Sequence, residues 1–226
     1  MNTANLVLAM TGASGALYGL RLLQTLLEAG QTVHFTLSPC AAQVLQDELN
    51  VSVNLEQFDT ERFLQQTVAA VHASRHSPAA PPPSAPQLPT SHFFYHHCND
   101  FRSELASGSF LTAGMVICPC SMATLGRLAH SSGSNLIHRA ADVHLKERRP
   151  LILVPRETPL SVLHLDNMRR LAEAGCVVLP AMPGFYHRPT CVLDLVDFVV
   201  ARICDHLNVP HSLVQRWKGN DQPEPT

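Results

Sequence analysis

The chain has no excess of charge of either sign. Across 226 residues the net charge is −2, so no broad basic field is present to hold nucleic acid. No stretch reaches the ~18–20 consecutive apolar residues of a membrane helix. No basic start precedes an apolar secretory core, and the first apolar run has only the length of a strand. The cysteines form no even set: there are seven, and Cys118, Cys176 and Cys204 stand among Val, Ile and Ala. That is the pattern of reduced thiols, not of a disulfide framework. These absences lead to the expectation of a cytoplasmic protein with no nucleic-acid partner and no membrane span.

A zinc-binding spacing is also missing. Thirteen histidines are many, and "SHFFYHHC" brings His92, His96, His97 and Cys98 close together. Structural zinc sites draw ligands at set spacings from two segments. The other half here would be "CPC", Cys118 and Cys120, an atypical pair at a strand end. The segment reads as a variable surface loop, and no metal is expected.

What is present is alternation. Hydrophobic residues make up 46% of the chain, enough for a substantial core. Short apolar runs fall at Asn5–Met10, Thr32–Leu37, Met115–Cys118, Leu151–Val154 and Val177–Leu179. Helical patterns fall at Ala16–Ala29, Ala41–Leu49, Met122–His130, Ala140–Glu147, Ser161–Ala174 and Leu193–Leu207. Strands alternating with amphipathic helices predict βαβ units and a mostly parallel sheet. One segment interrupts them: six prolines stand between Pro78 and Pro89, where neither helix nor inner strand can continue. The pattern resumes afterwards, so 72–91 is expected to be a surface loop within one domain spanning 1–218. Residues 219–226 are expected to form a disordered tail.

Two glycine- or hydroxyl-bearing turns follow apolar strands. In "LVLAMTGASGALYGL" the glycines are Gly12, Gly15 and Gly19, which is not the G-x-G-x-x-G spacing of a dinucleotide site. The second strand ends at Ser38, where a dinucleotide fold would place the carboxylate that holds ribose. A mononucleotide such as FMN fits better than NAD. Gly12 and Gly15, with Ser14 and the positive end of the following helix, suit a phosphate; a plain tight turn would read the same. In "MVICPCSMATLGRL", Ser121 and Thr124 stand beside the first unpaired N–H groups of a helix, and an ordinary N-cap would look alike. Two such turns at strand C-termini point to the crevice where open α/β sheets bind ligands.

Cations come next. Arg139 and Lys146 are seven apart and share a helical face. Arg156 follows an apolar strand, with Glu157 beside it. Tyr186 stands in the proline-bounded "PGFYHRP", as a lid or as packing. Arg202 lies in the apolar "VDFVVARICDHL", where a charge needs a partner or a ligand. Glu48 falls near the end of the second helix. The cations beyond the two turns suggest a second anion.

Taken together, "MTGASGALYGLRLL", "VICPCSMATL", "NLIHRAADVHLKERRPLILVPRETP", "LPAMPGFYHRP" and "DLVDFVVARI" resemble the flavin prenyltransferase family of the UbiX type. The resemblance runs from Leu6 to about Trp217. It implies a Rossmann-like, flavodoxin-type three-layer α/β fold assembled as a homododecamer. It implies binding of FMN and dimethylallyl phosphate, and transfer of the dimethylallyl group to flavin N5 and C6. The prenylated FMN would serve a UbiD-type decarboxylase, as in ubiquinone biosynthesis. Carried onto this chain, FMN contacts fall on Gly12, Ala13, Ser14, Ser38, Ser121, Met122, Ala123, Thr124 and Arg139. The phosphate donor falls on Arg139, Lys146, Arg156, Tyr186 and Arg202. The catalytic positions fall on Ser14, Glu48, Lys146, Glu157 and Tyr186. Ala123 departs from the glycine the family often has, and the proline-rich loop is longer. A cysteine decarboxylase-like flavoprotein and a non-catalytic flavin carrier are the competing readings.

Overall fold

The computed structural model describes residues 5–75 and 87–215. Six parallel strands form one sheet in the order β3-β2-β1-β4-β5-β6. They are β1 (Asn5–Met10), β2 (Thr32–Leu37), β3 (Phe93–Tyr95), β4 (Gly114–Cys120), β5 (Leu151–Pro155) and β6 (Val177–Val178). The helices are α1 (Ala16–Glu28), α2 (Pro39–Leu49), α3 (Thr60–Arg75), α4 (Met122–Ala129), α5 (Leu136–Lys146), α6 (Val162–Glu173) and α7 (Val192–Leu207).

Central strands of a parallel sheet are covered on both faces, so they read as unbroken apolar runs. Alternate residues then serve opposite layers. Leu6, Leu8 and Met10 of β1 pack with Leu20, Leu23 and Leu27 of α1 and Val196 and Val200 of α7. Val7 and Ala9 pack with Leu125 of α4, Ile137 and Ala140 of α5, and Leu171 of α6. The result is three layers, α/β/α, as the sequence predicts.

Two elements escape the sequence pattern. The segment read as a surface loop holds β3, with Phe93 buried and in register with Val33 of β2. The expected loop 72–91 also begins too early: residues to Arg75 belong to α3, whose Phe63, Leu64, Val68 and Val71 enter the core. Residues 76–86 and the expected tail 219–226 lie outside the described residues. Helix α5 starts at Leu136, before the expected Ala140, because Asn135 caps it by accepting from the His138 amide at 3.0 Å.

One buried ion pair joins the helices of the first layer. Arg21 of α1 donates to Asp197 of α7 at 2.6 Å, with side-chain exposures of 10% and 4%. Arg75 at the end of α3 reaches the second oxygen of Asp197 at 3.2 Å.

Helix α7 begins under Asp194, whose carboxylate accepts from the Thr190 amide at 2.7 Å, the Thr190 hydroxyl and the Cys191 amide. The Thr190 amide is the largest cause of a carboxyl pKa lowered to about 2. The folded value lies below the ordinary ~3.9 of an unfolded aspartate. The stabilisation is therefore complete above about pH 4 and is lost as the pH falls through about 2. Acid denaturation of Asp194→Asn should lack that component between pH 4 and 2, whereas at neutral pH the variant should be uniformly less stable than the parent.

Candidate active site at the strand C-termini

The connections leaving β1 and β4 diverge to opposite layers, so a crevice opens between their C-terminal ends, the usual ligand position in such sheets. The turn after β1 contains Gly12, Ala13 and Ser14; Ala13 is buried while Gly12 and Ser14 are exposed. A Cβ on Gly12 would run into the Cβ of Cys40 at the start of α2, so glycine is required for that close approach. Gly15 takes φ +101° and turns the chain into α1. Ser38 caps α2, accepting from the Ala41 amide at 3.1 Å.

Across the crevice Ser121 caps α4. Its Oγ accepts from the Thr124 amide at 3.3 Å and donates to the Thr124 hydroxyl at 3.1 Å. Met122 and Ala123 form the first turn, where amides have no partner inside the helix. Ala123 is exposed there, so its methyl group faces the crevice's surroundings and not the core.

Thr11, which no sequence motif marks, ties the two turns together. Its hydroxyl donates to the Pro119 carbonyl at 3.0 Å and accepts from the Ser121 amide at 2.8 Å. Its own amide donates to the same carbonyl. The only sequence signal was a polar residue closing an apolar strand ahead of glycine. Thr11→Val keeps the shape but strands the Ser121 amide, a loss of about 1–3 kcal/mol. Urea denaturation should show that loss, and flavin titration should show weaker binding. Unchanged affinity would separate the staple from the ligand site.

Glu48 changes the reading of the first turn. Its carboxylate accepts from the Gly15 amide at 3.0 Å and from the Ala16 amide at 2.9 Å. The positive end of α1 is thereby answered by a carboxylate of the chain itself. At the start of α4 the contacts of the described residues include no such carboxylate. Arg156 also braces the first turn, donating from Nε to the Ser14 carbonyl at 3.3 Å. Glu157 beside it accepts from the Thr158 amide.

The remaining cations do not join this crevice in one chain. Lys146 ends α5 shortly before β5 begins, at the opposite edge of the sheet from Ser14 and Ser121. Five residues of β5 separate the two edges by about 16 Å. There Lys146 pairs with Glu147. Arg139 donates to the Ala106 carbonyl and to Asp142, each at 3.0 Å. It lines a groove of about 200 Å³ with Arg127 and His138. Arg202 is not enclosed by apolar neighbours as its sequence context suggested. It lies on the outward face of α7, 55% exposed, and pairs with Asp205. Tyr186 is on the same flank, its ring 5.6 Å from Phe198, one turn before Arg202. Helices α5 and α7 belong to opposite layers, so the Tyr186–Arg202 pair and the Arg139–Lys146 pair face away from each other.

The cysteines and histidines weighed as a zinc set do not converge with one another. Cys118 and Cys120 are fully buried, and burial pushes both thiols well above the ordinary range. His97 turns to Glu56 instead. All seven cysteines are free.

Residues 1–205 match the flavoprotein family. The chain is 46% identical over 212 residues to the flavin prenyltransferase UbiX of Pseudomonas aeruginosa, covering 94% of this chain and 93% of the relative. It is 38% identical to that of Salmonella typhimurium, covering 95% and 98%. Among solved structures it is similar to AnUbiX in complex with FMN and dimethylallyl pyrophosphate, with TM-score 0.78, 33% identity, and coverage of 96% and 99%. It is also similar to a dodecameric FMN-dependent UbiX-like decarboxylase from Escherichia coli, with TM-score 0.76, 36% identity, and coverage of 95% and 100%. A cysteine decarboxylase from thioviridamide biosynthesis shares the fold, at 18% identity and TM-score 0.52.

Proposed function

The chain belongs to the flavoprotein family and, within it, to the flavin prenyltransferases, and on that premise we propose that it joins the dimethylallyl group of dimethylallyl phosphate to reduced FMN. The observation that carries this reading is the crevice at the switch point. It has two hydroxyl-capped helix starts, Ser38 at α2 and Ser121 at α4, and Thr11 ties the turn after β1 to the α4 cap. The α4 terminus suits one phosphate monoester, and Ser38 replaces the carboxylate a dinucleotide would need. Gly12, Ala13, Ser14, Ser38, Ser121, Met122, Ala123 and Thr124 would hold the flavin.

Flavin supplies an electron-rich acceptor at N5 and C6. The chain's residues handle the donor. Breaking an allylic C–O bond sends the bonding pair to the departing phosphate, whose charge rises. Arg139, Lys146 and Arg202, with the Tyr186 hydroxyl, are suited to meet that charge, and preorganised donors act most strongly on charge that develops in the transition state. Arg156 positions Ser14 through its backbone carbonyl. Ser14, Glu48 and Glu157, near the acceptor, are the candidate carriers of the proton lost at ring closure.

Because Lys146 and Arg202 cannot meet within one chain, a complete donor site requires neighbouring copies. Apolar side chains suited to such contacts are exposed on α6 and on the loop between β6 and α7: Val162 at 79%, Leu163 at 75%, Met182 at 62% and Phe185 at 68%. We read the assembly as the homododecamer found for the Escherichia coli relative. The recipient of the product would be a UbiD-type decarboxylase, as in ubiquinone biosynthesis. Free thiols throughout suit a reducing compartment, hence a cytoplasmic location. No helix among the described residues is long and apolar enough to cross a membrane.

Anaerobic incubation with reduced FMN and dimethylallyl phosphate, alongside the pyrophosphate, tests the reading. The expected result is a flavin heavier by one five-carbon unit, with release of inorganic phosphate from the monophosphate. An unchanged flavin beside an intact ester would refute it. Carbon dioxide release from a cysteinyl peptide would favour the decarboxylase instead.

A further inference from the structure

A second group of chemically capable side chains lies at the β2–β3 edge, remote from the crevice. His34 of β2 pairs in register with Phe94. His96, two residues further along, therefore emerges on the same face. Glu104 enters from a short 3-10 turn, Glu104–Ala106. His34 Nδ1 lies 3.0 Å from His96 Nε2 and 3.6 Å from Glu104 Oε1. The three ligand atoms all fall within 4.8 Å of one another, and this is the one such group among the described residues.

We propose that His34, His96 and Glu104 form a binding site for a divalent transition metal, zinc above all, with water as the fourth ligand. Bonds of about 2.0–2.1 Å place tetrahedral ligand atoms about 3.3 Å apart, and the two distances straddle that value. Two imidazole nitrogens and one carboxylate oxygen suit zinc and disfavour calcium or magnesium, which take oxygen. The outer shell is present as well. Ser103 Oγ lies 2.9 Å from His96 Nδ1, which fixes the ring and leaves Nε2 directed at the site, as hydrogen-bond partners of metal-binding histidines do. Phe94 stacks on His34 at 5.2 Å, and Phe110 meets it edge-on at 5.0 Å. His34 is thus held on the sheet side while the half-exposed Glu104 leaves an entry path.

The site is a staple, not a part of the transfer chemistry. His34 precedes Ser38 by four residues, about 13 Å along the strand. An ion here would tie the 96–104 segment to His34 of strand β2. Of the residues weighed in the sequence as a zinc set, the proposed site uses His96 alone, with partners from positions 34 and 104 and not from Cys98 or the Cys118–Cys120 pair.

The test uses the full chain without a polyhistidine tag, stripped by chelator. Zinc is titrated by calorimetry and cobalt by visible absorption. The expected result is one ion per chain, with the cobalt bands of a tetrahedral site and a melting temperature raised by zinc. Glu104→Gln and His96→Gln should each weaken binding at least tenfold and remove the thermal shift. Glu104 is exposed enough for its variant to fold normally. No saturable binding, or binding of equal strength in both variants, would overturn the proposal.

Discussion

Lys146→Ala should slow prenyl transfer about a hundredfold, corresponding to about 3 kcal/mol of transition-state stabilisation. The side chain is half exposed and, among the described residues, pairs with the adjacent Glu147, so folding should be untouched. FMN affinity should also be unchanged, because the crevice at the far edge of the sheet is built without it. The loss should therefore appear in the rate at saturating donor, with flavin titration as the control. Arg202→Ala should behave alike, since its Asp205 partner lies on the outer face of α7. A Lys146→Ala enzyme of parental rate would mean that the donor phosphate is held elsewhere.

Asp197→Ala should destabilise the fold by about 3–5 kcal/mol, the cost of leaving a buried charge unpaired. Arg21 is the charge left behind, enclosed between α1 and α7. A typical domain holds only ~5–15 kcal/mol in total, so urea denaturation should register a large shift of the midpoint. Replacing both partners, Arg21→Met with Asp197→Leu, should recover most of the loss, because a well-packed apolar pair of similar volume avoids the desolvation cost. A small effect of Asp197→Ala would mean that Arg21 reaches solvent or another acceptor when its partner is removed.

The sequence made most of this sheet legible because burial on both faces leaves apolar runs that stand out between amphipathic helices. Strand β3 did not stand out. It has three residues, one of them exposed, and histidines flank it. Helix α3 runs directly towards the prolines, and its apolar face is interrupted by the buried polar Thr67. The Arg21–Asp197 pair spans 176 positions, a separation that no local pattern reports.

The crevice was legible for a related reason. Each of its turns directly follows a strand, so the parallel topology brings Ser14, Ser38 and Ser121 to one edge. The role of Glu48 was not, because its contact with the α1 amides depends on how α2 packs beside α1. Nor was the separation of the cations. Arg139 and Lys146 share a helix, and Tyr186 and Arg202 share a flank, but only the layer order shows that the two pairs face apart.

That separation yields the most direct test of a flavin-prenylating site completed between copies. Lys146→Ala and Arg202→Ala chains, each nearly inactive alone, are dissociated, mixed and reassembled, and the mass of the flavin formed from reduced FMN and dimethylallyl phosphate is measured. Some sites in the mixture receive Lys146 from one chain and Arg202 from another. Prenylated flavin well above the level of either parent assembly is expected. Mixed assemblies that contain both chains yet form no more than the parents would show that the site is not completed between copies.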